Sequence, residues 1–289
     1  MSVLLDCHTH ITDERSIEHL FAHLERYGEG RSVVLPIAAG DCTGVGPDNH
    51  QWRVELTVEA YERHGDRVIP FCHVNPLARD AMDQLRTYHE TGIFVGFGEH
   101  KVRIACDHPA SLQIYQFCSE VGWPVLLHFD YQDFHNYNVE AFHKVLEACP
   151  DTRFIGHAQS WWANLSAEVV RDYQSPDFEE YPQGPLVPGG LIDRWLEQYP
   201  NLYTDLSARS AFKALGRDPE FTQGFLQRHR AKLMWGSDCP CLDGEGNLAD
   251  GRTRDCLSGL MLPLLQEQCE DQDHYEDLVR HNAERLLGL

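Results

Sequence analysis

The segment Pro124-Val125-Leu126-Leu127-His128-Phe129 decides how the chain is read. Its apolar residues fall on both parities of an extended strand, and a histidine interrupts them near the end. A strand with one wet face alternates apolar and polar side chains. One that is apolar on both parities is covered on both faces, as in a parallel sheet. Ser32-Val33-Val34-Leu35-Pro36-Ile37 has the same character. Eight such short runs span the chain: Val3–Cys7, Ser32–Ala39, Val68–Val74, Ile93–Gly98, Pro124–Phe129, Arg153–Ala158, Leu202–Leu206 and Lys232–Gly236. Helical patterns separate them: Ser16–Tyr27, His50–His64, Ala78–Thr91, Pro109–Val121, Val139–Ala148, Leu191–Tyr199, Pro219–His229 and Thr253–Gln268. Strand and helix alternating eight times predict an α/β fold, a (β/α)8 or TIM barrel. Residues 1–289 are expected to form a single domain, with a last helix, His274–Leu287, packed outside. Two connections are long, Asp130–Asn138 after the fifth strand and Gln159–Gly190 after the sixth. Loops of this length in a compact domain are usually lids or binding loops.

Composition narrows the function. Apolar residues make up 42% of the chain and charged residues 24%, the mix of a globular protein. With 24 Lys plus Arg against 45 Asp plus Glu, the net charge is −21, which argues against nucleic-acid partners held through phosphate contacts. No apolar run approaches the roughly 18 residues of a membrane span, and no basic-then-apolar leader opens the chain, so a cytoplasmic location is expected. Ten cysteines then read as reduced thiols. Cys239-Pro-Cys241 lacks the matching second pair of a zinc knuckle and predicts no structural zinc. The Gly40–Gly46 stretch has no Lys-Ser/Thr and is not a phosphate-binding loop.

Seventeen histidines stand out, and several fall at strand ends. His8 and His10 close the first strand at i and i+2, a period that puts both on one face. Glu99 ends the fourth strand, His128 the fifth, His157 the sixth and Asp238 the eighth. A lone histidine after an apolar run is ordinarily a packed, hydrogen-bonded side chain. Six ligand-type residues from five strands are another matter, because the carboxyl ends of barrel strands converge on one face. Imidazole with carboxylate suits a first-row divalent cation such as zinc, manganese, iron or nickel. His19, His23, His64, His89, His143 and His229 lie in helical patterns and read as surface or packing residues.

The set His8-Thr9-His10, His128, His157 and Asp238 resembles the amidohydrolase superfamily, and in particular its amidohydrolase-related (amidohydrolase 2) branch. Asn201-Leu202-Tyr203-Thr204-Asp205-Leu206-Ser207, Gly236-Ser237-Asp238-Cys239-Pro240 and the closing His281-Asn282-Ala283-Glu284-Arg285-Leu286-Leu287-Gly288 support the resemblance, which covers essentially the whole chain. It implies metal ligation by His8, His10, His128 and Asp238, with His157 a ligand or a substrate-polarising residue. Glu99 departs from the pattern, since many members of this branch hold one metal and have no acid there. TatD-like nucleases and phosphotriesterase-like proteins place a bridging glutamate at this strand, and other members use a carbamylated lysine, which is absent from strand four here. Two sites are therefore open. In one, His8, His10, His128 and Asp238 hold one ion. In the other, His8, His10 and Asp238 hold one ion, His128 and His157 a second, and Glu99 spans them. The second is preferred, with zinc the expected metal. The alternative for Glu99 is a pairing with Lys101 or Arg103.

The resemblance implies a metal-activated water, with Asp238 as base and proton carrier and His157 or a second ion polarising the attacked carbonyl. The leading expectation is a metal-dependent hydrolase of a small ester, lactone or amide. The alternative is a metal-dependent decarboxylase or hydratase of a small carboxylic acid. A TatD-like metallonuclease rests on Glu99 alone, and a non-catalytic scaffold is hard to square with the complete ligand set. Lys101 and Arg209 are candidates for holding a substrate carboxylate, and His73 and Trp161 for lining the pocket. Tyr131, His135 and Asn136 in the fifth loop could line it too. The Trp161-Trp162 loop and the terminal helix make a homodimer contact plausible.

Overall fold

The computed structural model describes residues 3–38, 52–132 and 134–289. Eight parallel strands lie in spatial order identical to their order in the chain. They are β1 Leu4–His10, β2 Glu29–Leu35, β3 Val68–Cys72, β4 Gly96–His100, β5 Val125–His128, β6 Phe154–His157, β7 Leu202–Leu206 and β8 Leu233–Trp235. Each of the eight expected runs overlaps one of them. The Asp238 amide donates to the His8 carbonyl at 2.8 Å and brings the end of β8 against β1, so the sheet curls into a (β/α)8 barrel. The Gly40–Gly46 stretch lies outside the described residues.

Helices α1 Ile17–Tyr27, α2 Val54–His64, α3 Ala81–Glu90, α4 Pro109–Val121, α5 Phe142–Ala148, α6 Gln159–Ala163, α7 Leu191–Gln198, α8 Ala208–Leu215, α9 Pro219–Arg228 and α10 Leu257–Gln268 cover the outside. Local chemistry sets their ends. Pro109 opens α4 where its missing N–H costs nothing, His108 accepts from the Ala110 amide, and Gly122 (φ 73°) closes it in the left-handed conformation. The short helices α6 and α8 were not expected. α6 lies within the long connection after β6, and α8 lies in the stretch between β7 and the expected helix Pro219–His229.

Two apolar layers result. Leu5, Cys7, Val33, Leu35, Ile69, Phe71, Leu126, Ile155 and Met234 fill the barrel interior. Phe97, Leu127, Phe154, Leu206 and Trp235 face outward against Ile114, Phe142, Trp195 and Phe225 of the helices. The terminal stretch comprises α11 Gln272–Glu276, a π-helical segment Asp277–His281 and α12 Asn282–Leu287. It does not simply pack outside. Ala283 and Leu286 join the interior cluster. The Asn282 amide donates to the Arg230 and Leu233 carbonyls at 2.6 and 2.7 Å. The helix thus seals the amino-terminal mouth, where the first apolar side chains of the strands would otherwise meet water.

Two irregularities aim the other mouth. The β1–β2 register slips between Asp6 and Thr9. Leu5, before the slip, and Cys7, within it, belong to the interior cluster, whereas His8 within it and His10 after it meet at the carboxyl-terminal mouth. The β4–β5 register slips between Phe97 and His100, the segment that carries Glu99. Bulges of this kind redirect side chains that strict alternation would send elsewhere.

The loop after β6 corrects one expectation. Trp161 and Trp162 are fully buried, not exposed. The Trp161 indole donates to Thr204 Oγ1 at 2.8 Å and stacks near Phe129. Trp162 packs against Phe225. Neither side chain is available for a dimer contact. Among the described residues, nine cysteines carry no disulfide, and no helix is long and apolar enough to cross a membrane.

Gly156 makes room for Trp161, because a Cβ there would sit 2.2 Å from the indole ring. With the ring pinned by Thr204, relief must come from the backbone. Gly156→Ala is expected to lower the unfolding free energy by about 3 kcal/mol in urea titrations. A variant as stable as wild type would show that the indole can yield.

Candidate metal centre

At the carboxyl-terminal mouth His8, His10, Glu99, His128, His157 and Asp238 converge. His8 Nε2 and His10 Nε2 lie 3.1 Å apart. Asp238 Oδ1 stands 3.7 Å from the first and 3.5 Å from the second. Its Oδ2 lies 3.6 Å from His157 Nε2. Glu99 reaches both ways: Oε2 is 3.4 Å from His10 Nε2, and Oε1 contacts His128 Nδ1 and lies 3.6 Å from His157 Nε2. His128 and His157 pair directly across β5 and β6. The donors fall into two groups, His8 with His10 and Asp238, and Glu99 with His128 and His157.

The other ring nitrogens are already engaged. His8 Nδ1–H donates to Asp205 Oδ2 at 2.7 Å, and His157 Nδ1–H to Asp205 Oδ1 at 3.0 Å, with Ser207 Oγ at 2.9 Å. His10 Nδ1–H donates to the Leu35 carbonyl at 3.0 Å. Each Nε2 therefore offers a lone pair to the centre. Two bare imidazole lone pairs 3.1 Å apart repel unless a cation or a proton lies between them. That donor set fits a divalent cation, and the buried carboxylates around it require positive charge.

Electrostatics agree with this reading. Burial opposes charge on Glu99, but Lys101 and His128 overcome it and hold its carboxyl well below the usual range. Burial likewise opposes Asp205, yet His157 and His8 hold it ionised. Burial and the nearby His157 disfavour a charged His8, while Asp238 and Asp205 outweigh them and raise its pKa. Asp130 extends the network. Burial is overcome by His128 and His135, so it stays charged, with His128 Nε2 at 3.3 Å and His135 Nδ1 at 2.7 Å. Asp238 is the most open of the strand-end acids, with 27% of its side chain exposed.

A cavity of about 420 Å³ opens over His10, Glu99 and Asp238, with Lys101, Arg252 and Arg254 among its walls. Arg209 lies elsewhere, in a depression with Arg26, Tyr27 and Glu245 that shares Arg254 with the cavity. His73 is buried between Trp52 and Phe97, with Nε2 3.0 Å from His100 Nδ1, and does not line the cavity. Burial pushes His73 well below the usual imidazole range and His100 down to about 3, so both are neutral packing residues. Trp161 lies in the outer core. Sequence reasoning gave no role to Asp205, Asp130, Arg252 or Arg254. Asp205 stood within a quoted motif, and its place at a strand end was the available signal.

The amidohydrolase family profile matches residues 5–289. No curated protein matches the chain. Among solved structures, a probable 2-pyrone-4,6-dicarboxylic acid hydrolase from Acinetobacter baumannii with citric acid bound aligns at TM-score 0.61 and 13% identity, covering 100% of both chains. A dihydroxybenzoic acid decarboxylase from Polaromonas sp. JS666, with bound manganese and 2-nitroresorcinol, gives 0.62 and 11%, covering 100% of this chain and 98% of its own. A 5-carboxyvanillate decarboxylase from Sphingomonas paucimobilis gives 0.60 and 10%, covering 99% of each. At these identities the likeness speaks to the fold. The family match spans nearly the whole sequence, and the chain belongs to the amidohydrolase family of metal-dependent barrel enzymes.

Proposed function

We propose that this chain hydrolyses an ester, lactone or amide bond in a small, carboxylate-bearing molecule, using two divalent ions, with zinc the expected metal. The observation that carries the reading is Glu99, whose two oxygens face His10 on one side and His128 with His157 on the other. His8, His10 and Asp238 would hold one ion, His128 and His157 the other, and Glu99 would span them. Bound there, such ions lower the pKa of water toward about 7 and polarise a carbonyl.

The protein's own groups do the rest. Asp238 is open to the cavity and accepts a proton at a carboxylate oxygen, then returns it to the leaving group. Asp205 fixes the tautomer and aim of His8 and His157 together. Lys101 and Arg254 stand on the cavity wall, where a substrate carboxylate would meet them. The cavity suits a small molecule, and the net charge of −21 disfavours a polyanion.

Asp238→Asn, assayed after reloading with the divalent ion, is expected to cut kcat by about 10²–10⁴-fold. Full activity with metal bound would remove Asp238 as proton carrier. Elemental analysis of Glu99→Gln should find one ion fewer per chain than wild type; an unchanged count would sink the bridged pair. Asp205→Asn is expected to weaken metal binding by about 10–100-fold in chelator competition. Product analysis with lactone and aromatic-acid panels tests the reaction itself. Carbon dioxide release from an aromatic acid, without hydrolysis of any lactone, ester or amide, would replace this reading with decarboxylation.

A further inference from the structure

A second cluster of metal-ligating groups lies beside the barrel mouth. His23 of α1, Cys239 and Cys241 after β8, and Cys256 before α10 are all buried, and one donor atom from each falls within 4.8 Å of the others. The three sulfurs stand 3.1, 3.8 and 3.6 Å apart (Cys239–Cys241, Cys239–Cys256 and Cys241–Cys256). A disulfide needs about 2.05 Å. Zinc bonded to sulfur at about 2.3 Å gives tetrahedral sulfur–sulfur edges of about 3.8 Å. His23 Nδ1 lies 3.3 Å from Cys241 Sγ.

The surroundings match a metal–thiolate centre more than packed thiols. His23 Nε2 lies 2.8 Å from Ser258 Oγ, a contact that allows Nε2–H to donate and leaves Nδ1 on the side of Cys241. The Leu257 amide donates to Cys239 Sγ at 3.4 Å, a bond that favours thiolate. Arg15 is buried against the cluster: Nε donates to the Cys241 carbonyl at 3.0 Å, and Nη2 lies 3.4 Å from His23 Nδ1. Three thiolates and a dication sum to −1, and the guanidinium brings the buried assembly to neutrality. With neutral thiols, Arg15 would be a buried cation with no counter-charge inside the cluster.

The chain between the cysteines is folded to close the site. The Leu242 amide donates to the Asn247 carbonyl at 2.8 Å and the Arg254 amide to the Gly246 carbonyl at 3.0 Å, which turns the loop back on itself. Gly246 (φ 96°) is required there, because a Cβ would sit 1.8 Å from the Arg254 carbonyl oxygen. The sequence expectation of no structural zinc looked for a second Cys-x-Cys pair. The partners are instead a cysteine across this loop and a histidine on the first helix.

We propose that His23, Cys239, Cys241 and Cys256 form a structural zinc site, separate from the catalytic centre, that pins the loop after β8 to α1 and α10. Its ligand Cys239 directly follows Asp238, so the site would hold the loop that presents that carboxylate.

Cobalt substitution of the full chain tests this. The thiolate site should give a strong sulfur-to-cobalt charge-transfer band in the near ultraviolet, retained in His8→Ala, whose centre at the barrel mouth is impaired, and lost in Cys256→Ser. Zinc analysis should find one ion fewer per chain in Cys256→Ser, and Glu99→Gln, whatever its total ion count, should keep the cobalt–thiolate band. Thiol titration of the denatured, unreduced wild type should count all ten cysteines. Absence of the band in cobalt-loaded wild type would overturn the proposal without recourse to any variant. So would eight titratable thiols, which would indicate a disulfide, or an unchanged zinc content in Cys256→Ser.

Discussion

Asp205 is the residue on which the candidate centre depends. One fully buried carboxylate takes a hydrogen bond from His8 Nδ1 with one oxygen and from His157 Nδ1 with the other. Burial alone would neutralise it, and the two imidazoles keep it charged. The geometry works in both directions. The imidazoles hold the acid ionised, and the acid fixes which nitrogen of each ring faces the centre. A carboxylate at the end of β7 thereby couples the ends of β1 and β6, strands that are not neighbours in the sheet.

The barrel supplies convergence, and its irregularities supply aim. In a regular strand His8 would share a face with Leu4 and Asp6, and the interior face would belong to Leu5 and Cys7. The slip between Asp6 and Thr9 passes that face from apolar to ligand residues within one strand. Asp6 stabilises the change, since its Oδ1 accepts the His8 amide at 3.0 Å and the Ser237 amide at 2.8 Å. The same buried acid thus ties β1 to the segment that leads into Asp238, whose backbone is held in the left-handed region at φ 43°. Strain of that kind is costly for a residue with a Cβ and persists where the surroundings enforce it.

The barrel was legible because its signals are local. Eight apolar runs and the ligand-type residues that close them can be read without knowing which strand neighbours which. What escaped depends on distance through space. Asp205 gains its role only when β7 lies near both β1 and β6. Trp161 reads as an exposed loop aromatic until Gly156, five residues earlier, leaves a space that the indole fills. Arg254 reaches the cavity through a loop whose fold is irregular, and no periodicity marks it. Cys256 and His23 are 15 and 218 positions from Cys241, so no spacing rule links them.

Helix α12 bears on how the barrel closes. Ala283 and Leu286 share the interior cluster with Leu5 and Cys7 of the first strand. During synthesis the first strand emerges long before the residues that close the barrel beneath it. Until α12 is made and docks, the interior stays open to water at one end. The nascent barrel must therefore carry an exposed apolar mouth while all eight strands are being made. Docking of α12 ends that exposure, so formation of this one short helix and closure of the core are the same event.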